Sequence, residues 1–285
     1  MKKMKINKKV QTGIIGFPLA HTLSPAMHNN SFNKFKMNWE YKVFEIKTES
    51  VRDFMWKLRK TGIKGINVTI PHKQFVMQFM DKLDKAAESI GAVNTVVNNN
   101  GEIIGYNTDY IGFIESLKKN KVNLINKKVV MIGAGGAAHG IGYALKSFKL
   151  KELYIYNIDL PMIDGLVKQL NLKKVVTGDI IKTEKKDEIM AAADFIINCT
   201  SVGMHGKDVP YKIDKLKKGV VVYDLIYNPA KTPFLINAEE KGAKIINGLD
   251  MLIYQGIEAF FLWTEKRPPY DMVKKAVELF LKKKK

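Results

Sequence analysis

The segment KKVVMIGAGGAAHGIGYALKSF, residues 127–148, has the pattern of a short apolar strand, a glycine turn and a helix. Within it, Gly133-x-Gly135-x-x-Ala138 has a spacing in which the first glycine allows a tight turn and the second lets backbone approach a pyrophosphate. The alanine lets the helix pack closely on the strand, and the helix N-terminus offers free N–H groups to phosphate oxygens. The segment therefore predicts a dinucleotide-binding βα unit, with a glycine-rich turn that binds nothing as the alternative.

The chain that follows this segment continues the alternation of strands and helices. We expect strands at 152–156, 174–177, 194–198 and 220–224, a helix at 161–170, and closing helices near 249–263 and 270–283. A series of this kind predicts a parallel, doubly wound sheet.

The N-terminal part of the chain also alternates, but with shorter elements. Strand-like runs lie at 12–17, 41–46, 65–70 and 92–97. Ser24, followed by proline, is a candidate N-cap for one helix, and Ser50 with Asp53 has capping-box spacing for another. The sequence thus predicts an α/β protein of two domains. An N-terminal α/β domain spans 1–108, with 249–285 packing back on it, and a Rossmann domain spans 109–248.

Composition limits the classes of function. The 285 residues include 47 Lys and Arg against 28 Asp and Glu, which gives a net charge of +19. The lysines are scattered and form dense clusters only at the ends, a pattern typical of solvated surface, so we expect no nucleic-acid partner and keep nucleic-acid binding as a weaker alternative. Cys199 is the one cysteine, which favours a reducing cytoplasmic location. We expect neither a signal peptide after the basic start nor a membrane span, because no apolar run is long enough.

Polar residues of the first domain cluster at turns, next to predicted strands. They are Thr22 and Ser24 in GFPLAHTLSPAMHN, Thr69 and Lys73 in NVTIPHK, Asn94 in GAVNTV, and Asp109 in GYNTD. Because α/β folds gather ligands at strand ends, this set of hydroxyls, amide, ammonium and carboxylate suits a small polyhydroxylated acid.

These motifs occur in series with GAGGAA, NCTSVGM and GLDMLIYQ. In that order the sequence resembles the shikimate dehydrogenase family, including its quinate/shikimate dehydrogenase relatives, from Gly16 to about Trp263. The resemblance implies reversible NAD(P)-dependent reduction of 3-dehydroshikimate to shikimate, in aromatic amino acid biosynthesis, with quinate as a further substrate. Quinate dehydrogenase is one alternative, and a dehydrogenase of another substrate class with the same two-domain plan is a second.

The same resemblance implies the site residues. Lys73 and Asp109 would be the catalytic pair, with the lysine passing a proton to and from the substrate oxygen and no metal required. Thr22, Ser24 and Tyr227 would hold the substrate carboxylate, and Thr69, Asn94 and Gln255 would bind ring hydroxyls. The cofactor-binding set would be Gly133, Ala134, Gly135, Gly136, Ala137, Asn157, Asp159, Thr200, Met204, Leu225 and Gly248.

Three features of the sequence depart from the family pattern. Asn157-Ile158-Asp159 replaces a frequent Asn-Arg-Thr motif. A carboxylate there can bind the ribose hydroxyls of NAD and would repel the 2′-phosphate of NADP, so we predict a preference for NAD over NADP, with a helix-capping role for Asp159 as the alternative. Thr22 stands where serine is common, which leaves shikimate and quinate both open, and Tyr110 stands where glycine is common. The protein is expected to be a monomer or a homodimer.

Overall fold

The computed structural model describes residues 9–19 and 22–283, and the chain forms two compact units. The first unit comprises Met1–Thr108 with Gly256–Lys285, and the second comprises Asp109–Gln255. The unit boundary on the C-terminal side falls inside a helix, so that one helix contributes residues to both units.

The first unit is built on a mixed sheet of six strands. Its elements are β1 (Val10–Gly16), α1 (Ser24–Lys34), β2 (Trp39–Glu45), α2 (Val51–Lys60), β3 (Ile63–Val68), β4 (Lys82–Leu83), α3 (Lys85–Ile90), β5 (Thr95–Asn99) and β6 (Glu102–Tyr106). The strand order is β2-β1-β3-β5-β6-β4. β1 runs parallel to β2 and β3, whereas β5 is antiparallel to β3 and β6.

The predicted helix starts of the first unit are wrong in detail. Ser24 lies inside α1 and Leu23 occupies the cap position, while Ser50 makes no side-chain cap hydrogen bond to α2. Both cap residues have helical backbone angles, φ −95° for Leu23 and φ −94° for Ser50, whereas a capping side chain needs an extended backbone to reach the free N–H groups. The predicted strand 92–97 begins only at Thr95, because the preceding residues belong to the turn after Gly91.

The second unit is a doubly wound domain. Its elements are α4 (Asp109–Lys119), β7 (Lys128–Ile132), α5 (Gly136–Lys146), β8 (Glu152–Asn157), α6 (Leu160–Leu170), β9 (Val175–Asp179), α7 (Lys186–Ala192), β10 (Phe195–Asn198), β11 (Val221–Asp224), α8 (Pro233–Glu240), β12 (Lys244–Ile246) and the part of α9 (Leu249–Thr264) that precedes Gly256. The strands are all parallel, in the order β12-β11-β10-β7-β8-β9. The order reverses between β7 and β10, which is where such sheets bind ligands. The predicted Rossmann architecture and α/β class are confirmed.

Both faces of the second sheet are covered, as the apolar run of β7 requires. Val129 and Met131 point into one apolar cluster, and Val130 and Ile132 point into the other. A strand buried on both faces reads as a continuous apolar run instead of an alternating one. This explains why the segment VVMI marks the centre of the sheet.

An aromatic cluster in the first unit encloses a buried histidine. His28 of α1 stacks on Tyr41 with ring centroids 4.4 Å apart, and Phe260 and Trp263 of α9 lie nearby. Within the described residues, His28 Nε2 has no hydrogen-bond partner, and burial lowers the pKa of His28 to about 3. The imidazole is therefore neutral at physiological pH. The final helix, α10 (Tyr270–Lys283), belongs to the same unit and contacts α1.

Two features are absent from residues 9–19 and 22–283. None of the helices there has the length and apolar character needed to cross a bilayer. No group of three His, Cys, Asp or Glu side chains there lies close enough together to hold a metal ion.

Candidate active site

Lys73 lies in a tightly fixed turn after β3. The turn contains a cis Ile70–Pro71 bond, and the Lys73 carbonyl accepts a hydrogen bond of 2.8 Å from the Val93 N–H. His72 is fully buried, and its Nε2 lies 2.7 Å from the Ile46 carbonyl. Because a carbonyl can only accept, Nε2 carries the proton. The histidine thus attaches the turn to the end of β2, and the partly buried Lys73 side chain starts from a fixed backbone.

Thr22 and Ser24, which are predicted to bind the substrate carboxylate, lie at the start of a series of buried hydrogen bonds. The Thr22 hydroxyl accepts from the Ser24 N–H at 3.4 Å. A hydrogen bond links Ser24 to the Tyr41 hydroxyl, which in turn donates to Asn67 Oδ1 at 2.7 Å. Burial raises the pKa of Tyr41 well above its ordinary value, so its hydroxyl keeps its proton. Sequence reasoning missed Tyr41 and Asn67, although an asparagine within the apolar strand β3 was a signal of a buried polar contact.

The chain of polar contacts continues to the end of the unit. Asn67 Nδ2 donates to the Asn94 carbonyl at 3.3 Å, and Asn94 Oδ1 accepts from the Thr108 N–H at 2.7 Å. The Asn94 amide nitrogen donates to the Thr108 hydroxyl at 3.0 Å. The predicted residues Ser24 and Asn94 are therefore joined through buried hydrogen bonds. Glycine at position 16 leaves room for the Thr69 side chain. Any larger residue there would place its Cβ 2.4 Å from the Thr69 methyl group.

The other predicted substrate residues belong to the second unit. Asp109 opens α4 and is 5% exposed. Gln255 lies on α9, where its side-chain amide donates to the Leu252 carbonyl at 2.8 Å. Gly112 of α4 allows this helix to approach Gln255, because an added Cβ would lie 2.9 Å from Gln255 Cβ. Tyr227 is partly buried, and burial raises the pKa of its hydroxyl.

The glycine turn after β7 has the shape that a pyrophosphate needs. Gly133 has φ +105°, a conformation that favours glycine, and its N–H donates to the Tyr156 carbonyl at 2.7 Å. Gly135 faces open space, since an added Cβ would meet no atom within 4 Å. It also precedes α5, whose first turn has no side-chain cap, so N–H groups remain available for phosphate oxygens. Ala134, Gly136 and Ala137 complete a turn that fits a dinucleotide.

Two carboxylates lie at the adjoining ends of β8 and β9. Asp159 caps α6 by accepting from the Met162 N–H at 3.2 Å, and Asn157 donates to the Asp159 carbonyl at 3.1 Å. Asp179 accepts from the Ile181 N–H at 2.7 Å, and these backbone hydrogen bonds lower its pKa. Asp159 thus caps α6, and this hydrogen bond holds its carboxylate at this edge of the sheet.

The remaining cofactor candidates lie on two loops of the second unit. Thr200 and Met204 follow β10, and the Met204 N–H donates to the Ser201 carbonyl at 3.1 Å. Leu225 follows β11 and is contacted closely by Gly248, where an added Cβ would lie 1.9 Å from the Leu225 carbonyl oxygen. Cys199 beside Thr200 is buried, and burial raises the pKa of its thiol.

Tyr110 packs between helices of the second unit. Its ring meets the Tyr143 ring of α5 edge-on, with centroids 5.1 Å apart. The tyrosine in place of a common glycine thus contributes to the contact between α4 and α5.

Comparisons with known proteins cover nearly the whole chain. The family described as "Shikimate dehydrogenase substrate binding domain" matches residues 14–96, and "Shikimate 5'-dehydrogenase C-terminal domain" matches residues 248–278. A shikimate dehydrogenase (NADP(+)) of Carboxydothermus hydrogenoformans is 42% identical, and the alignment covers 97% of this chain and 99% of the relative.

Solved structures agree with the sequence comparisons. A shikimate 5-dehydrogenase of Listeria monocytogenes, in complex with shikimate and NAD, is 34% identical with a TM-score of 0.86, covering 96% of this chain and 98% of that one. A shikimate 5-dehydrogenase of Thermus thermophilus, in complex with NADP(H) and shikimate, is 30% identical with a TM-score of 0.85, covering 94% and 98%.

Proposed function

This chain belongs to the shikimate dehydrogenase family and is an NAD(P)-dependent oxidoreductase acting on a CH–OH group, and we propose that Lys73 and Asp109 form its catalytic pair. Its reaction is the reversible reduction of 3-dehydroshikimate to shikimate. The bound dinucleotide supplies the hydride in that reduction and accepts it in the reverse direction.

Lys73 carries the proton in this proposal. As an ammonium it donates a hydrogen bond to the ketone oxygen, stabilises the negative charge that develops there, and then transfers a proton to it. In the oxidation direction a neutral Lys73 accepts that proton from the hydroxyl. Asp109 orients the lysine and binds the reacting or a neighbouring hydroxyl.

One observation carries this assignment. The Val93 N–H bonds to the Lys73 carbonyl at 2.8 Å, which joins the lysine turn to the segment of Asn94 and hence to the buried polar chain that begins at Ser24. That chain supports the proposed roles in substrate binding. Thr22, Ser24 and Tyr227 hold the carboxylate, while Thr69, Asn94 and Gln255 bind ring hydroxyls.

The lysine variant tests the catalytic pair. Lys73→Ala should lower kcat at least about a hundredfold and change the KM for shikimate little, because general acid–base help is worth that much. Lys64→Ala is a matched control, since it removes a lysine of β3 whose ammonium lies 3.5 Å from Asn100. Full activity of the Lys73 variant would remove this lysine from the mechanism.

We also propose that NAD is preferred over NADP, although relatives at 42% and 40% identity are named for NADP(+). The support is the Asp159 carboxylate, fixed by its cap to the Met162 N–H at the end of β8, where it would repel a 2′-phosphate. Initial rates with shikimate and quinate, each with NAD and NADP, measure both preferences in four assays. Asp159→Ala should lower the NAD-to-NADP ratio of kcat/KM, and an unchanged ratio would reject the assignment. Use of quinate, a monomeric or homodimeric state and a cytoplasmic location stay predictions.

A further inference from the structure

Asp224 is a fully buried carboxylate at the end of β11. It lies in register with Asn198 at the end of the neighbouring strand β10. Asp224 Oδ1 accepts from Asn198 Nδ2 and from the Ile226 N–H, each at 3.0 Å. Its Oδ2 accepts from the Thr232 hydroxyl at 2.6 Å. These described donors are all neutral, so the carboxylate has three hydrogen bonds and no ion pair.

A charge buried in this way is costly, so its presence calls for a reason. Burial raises the pKa of Asp224 to about 6, while the hydrogen bonds from Thr232, Ile226 and Asn198 act in the opposite direction. The group is mostly ionised at neutral pH. A carboxylate differs from the other small polar side chains in that both of its oxygens can only accept, and here they orient three donors at once.

The first consequence concerns the loop that follows β10. Because Asp224 can only accept, the amide of Asn198 must turn its nitrogen towards the carboxylate and its oxygen away. Asn198 Oδ1 then accepts from the Thr200 N–H at 2.9 Å and from the Thr200 hydroxyl at 2.7 Å. Thr200 Oγ1 in turn accepts from the Val202 N–H at 3.2 Å. The carboxylate thus fixes the conformation of residues 198–202.

The second consequence concerns the segment that follows β11. The Ile226 N–H is held by Asp224, and the Ile226 carbonyl accepts from the Gly248 N–H at 3.1 Å. This turn leads directly into Tyr227. Thr232, which donates to Asp224, accepts from the Leu235 N–H at 3.3 Å and caps α8.

We propose that Asp224 is a positioning residue for the dehydrogenase. Through Asn198 it orients residues 198–202, which contain the dinucleotide-binding candidate Thr200, and through Ile226 it orients the substrate-binding candidate Tyr227. The inference rests on the proposed function, because Thr200 and Tyr227 receive their ligand-binding roles there. The described contacts of Asp224 are to Asn198, Ile226 and Thr232, so the proposed role is exerted through these residues.

The two sets of contacts of Asp224 can be tested separately, the first branch running through Asn198 and the second through Ile226. Asn198→Ala removes only the first branch. The Kd for NADH and NADPH should then rise about tenfold or more, while the KM for shikimate stays within about threefold. Asp224→Ala breaks both branches, so the dinucleotide Kd and the shikimate KM should rise together. Asp224→Asn should remain near wild type in both. Its oxygen can keep the bonds from Asn198 and Ile226 while its nitrogen donates to Thr232, whose hydroxyl can rotate to accept.

The matched control is Asp194→Asn. Asp194 precedes β10 at the opposite end of the same strand, where it pairs with Lys217 at 2.6 Å and accepts from the Lys128 N–H. This variant should alter thermal stability without changing dinucleotide binding. Binding is measured by fluorescence titration with NADH and with NADPH, together with thermal unfolding of each variant.

A folded Asp224→Ala variant with wild-type dinucleotide Kd and shikimate KM would overturn the proposal. If that variant does not fold, Asn198→Ala and Asp224→Asn decide the matter, and equal dinucleotide affinity in these two would refute it. A wild-type protein that binds dinucleotide but does not oxidise shikimate would instead refute the proposed function. The titrations separate the two failures because they need no turnover.

Discussion

Replacing Gly135 by alanine separates dinucleotide binding from folding. Gly135 has φ −77° and ψ −173°, which alanine adopts without strain, and the added Cβ would meet no protein atom within 4 Å. The free energy of unfolding should therefore stay the same or rise by about 0.4–1 kcal/mol, because alanine reduces the entropy of the unfolded chain. If a pyrophosphate lies against this glycine, however, the methyl group occupies its place.

The size of the binding loss follows from the size of the methyl group. Forcing one extra carbon into a packed contact costs about 1–3 kcal/mol, which corresponds to a roughly five- to 150-fold weaker Kd for NAD or NADP. Fluorescence titration with NADH and NADPH measures the affinity, and thermal unfolding measures the stability. Gly165→Ala is the matched control, because residue 165 lies in α6 and its added Cβ also meets nothing within 4 Å. That variant should be about 1 kcal/mol more stable and bind dinucleotide normally.

A Gly135→Ala variant that keeps wild-type stability and wild-type affinity would refute the assignment of this turn to the pyrophosphate. Loss of both stability and affinity would show that the open space at residue 135 has been misjudged.

Three further changes have defined outcomes. Gly248→Ala places a methyl 1.9 Å from the Leu225 carbonyl oxygen, so the backbone must move by about 1.5 Å to reach ordinary contact. For this variant kcat/KM should fall about a hundredfold, and thermal stability should fall as well. Burial lowers the pKa of His28 from 6.5 to about 3, so as the pH falls the unfolded chain takes up the proton before the folded protein does. Wild type should therefore lose about 2 kcal/mol of unfolding free energy from this group between pH 7 and 5. His28→Phe should not show that loss in urea titrations. The pKa of Asp224 is raised from 3.8 to about 6, so here the folded protein takes up the proton before the unfolded chain does. Wild type should therefore gain roughly 1 kcal/mol of unfolding free energy from this group as the pH falls from 7 to 5, and Asp224→Asn should not. Equal pH slopes for variant and wild type would contradict either assignment.

The parts of the fold that could be predicted are those in which sequence periodicity and burial agree. The apolar run of β7 followed by Gly133 and Gly135 has one sensible structure, because the run is buried on both faces of the sheet. β4 was not predictable, since Lys82–Leu83 counts as a strand only through its pairing with β6. β12 (Lys244–Ile246) is likewise a short strand formed by its pairing with β11.

The candidate site likewise contains residues that the sequence could identify and contacts that it could not. Lys73, Asp109 and the glycine turn carry recognisable motifs, so their resemblance to a known family was visible in the sequence. The contact of Tyr41 with Asn67 and that of Asn198 with Asp224 each join residues 26 positions apart. Such pairings depend on which strands become neighbours and in which register. A single sequence shows the polar residues but not their partners.

The buried position of Cys199 turns the chain into its own reporter of loop opening. This is the one thiol in the sequence, and it lies between Asn198 and Thr200, with its N–H bonded to the Ile132 carbonyl at 2.7 Å. A thiol-reactive reagent can reach this buried thiol only when the segment opens locally. The labelling rate of Cys199 therefore measures how often that opening occurs, and no cysteine has to be engineered.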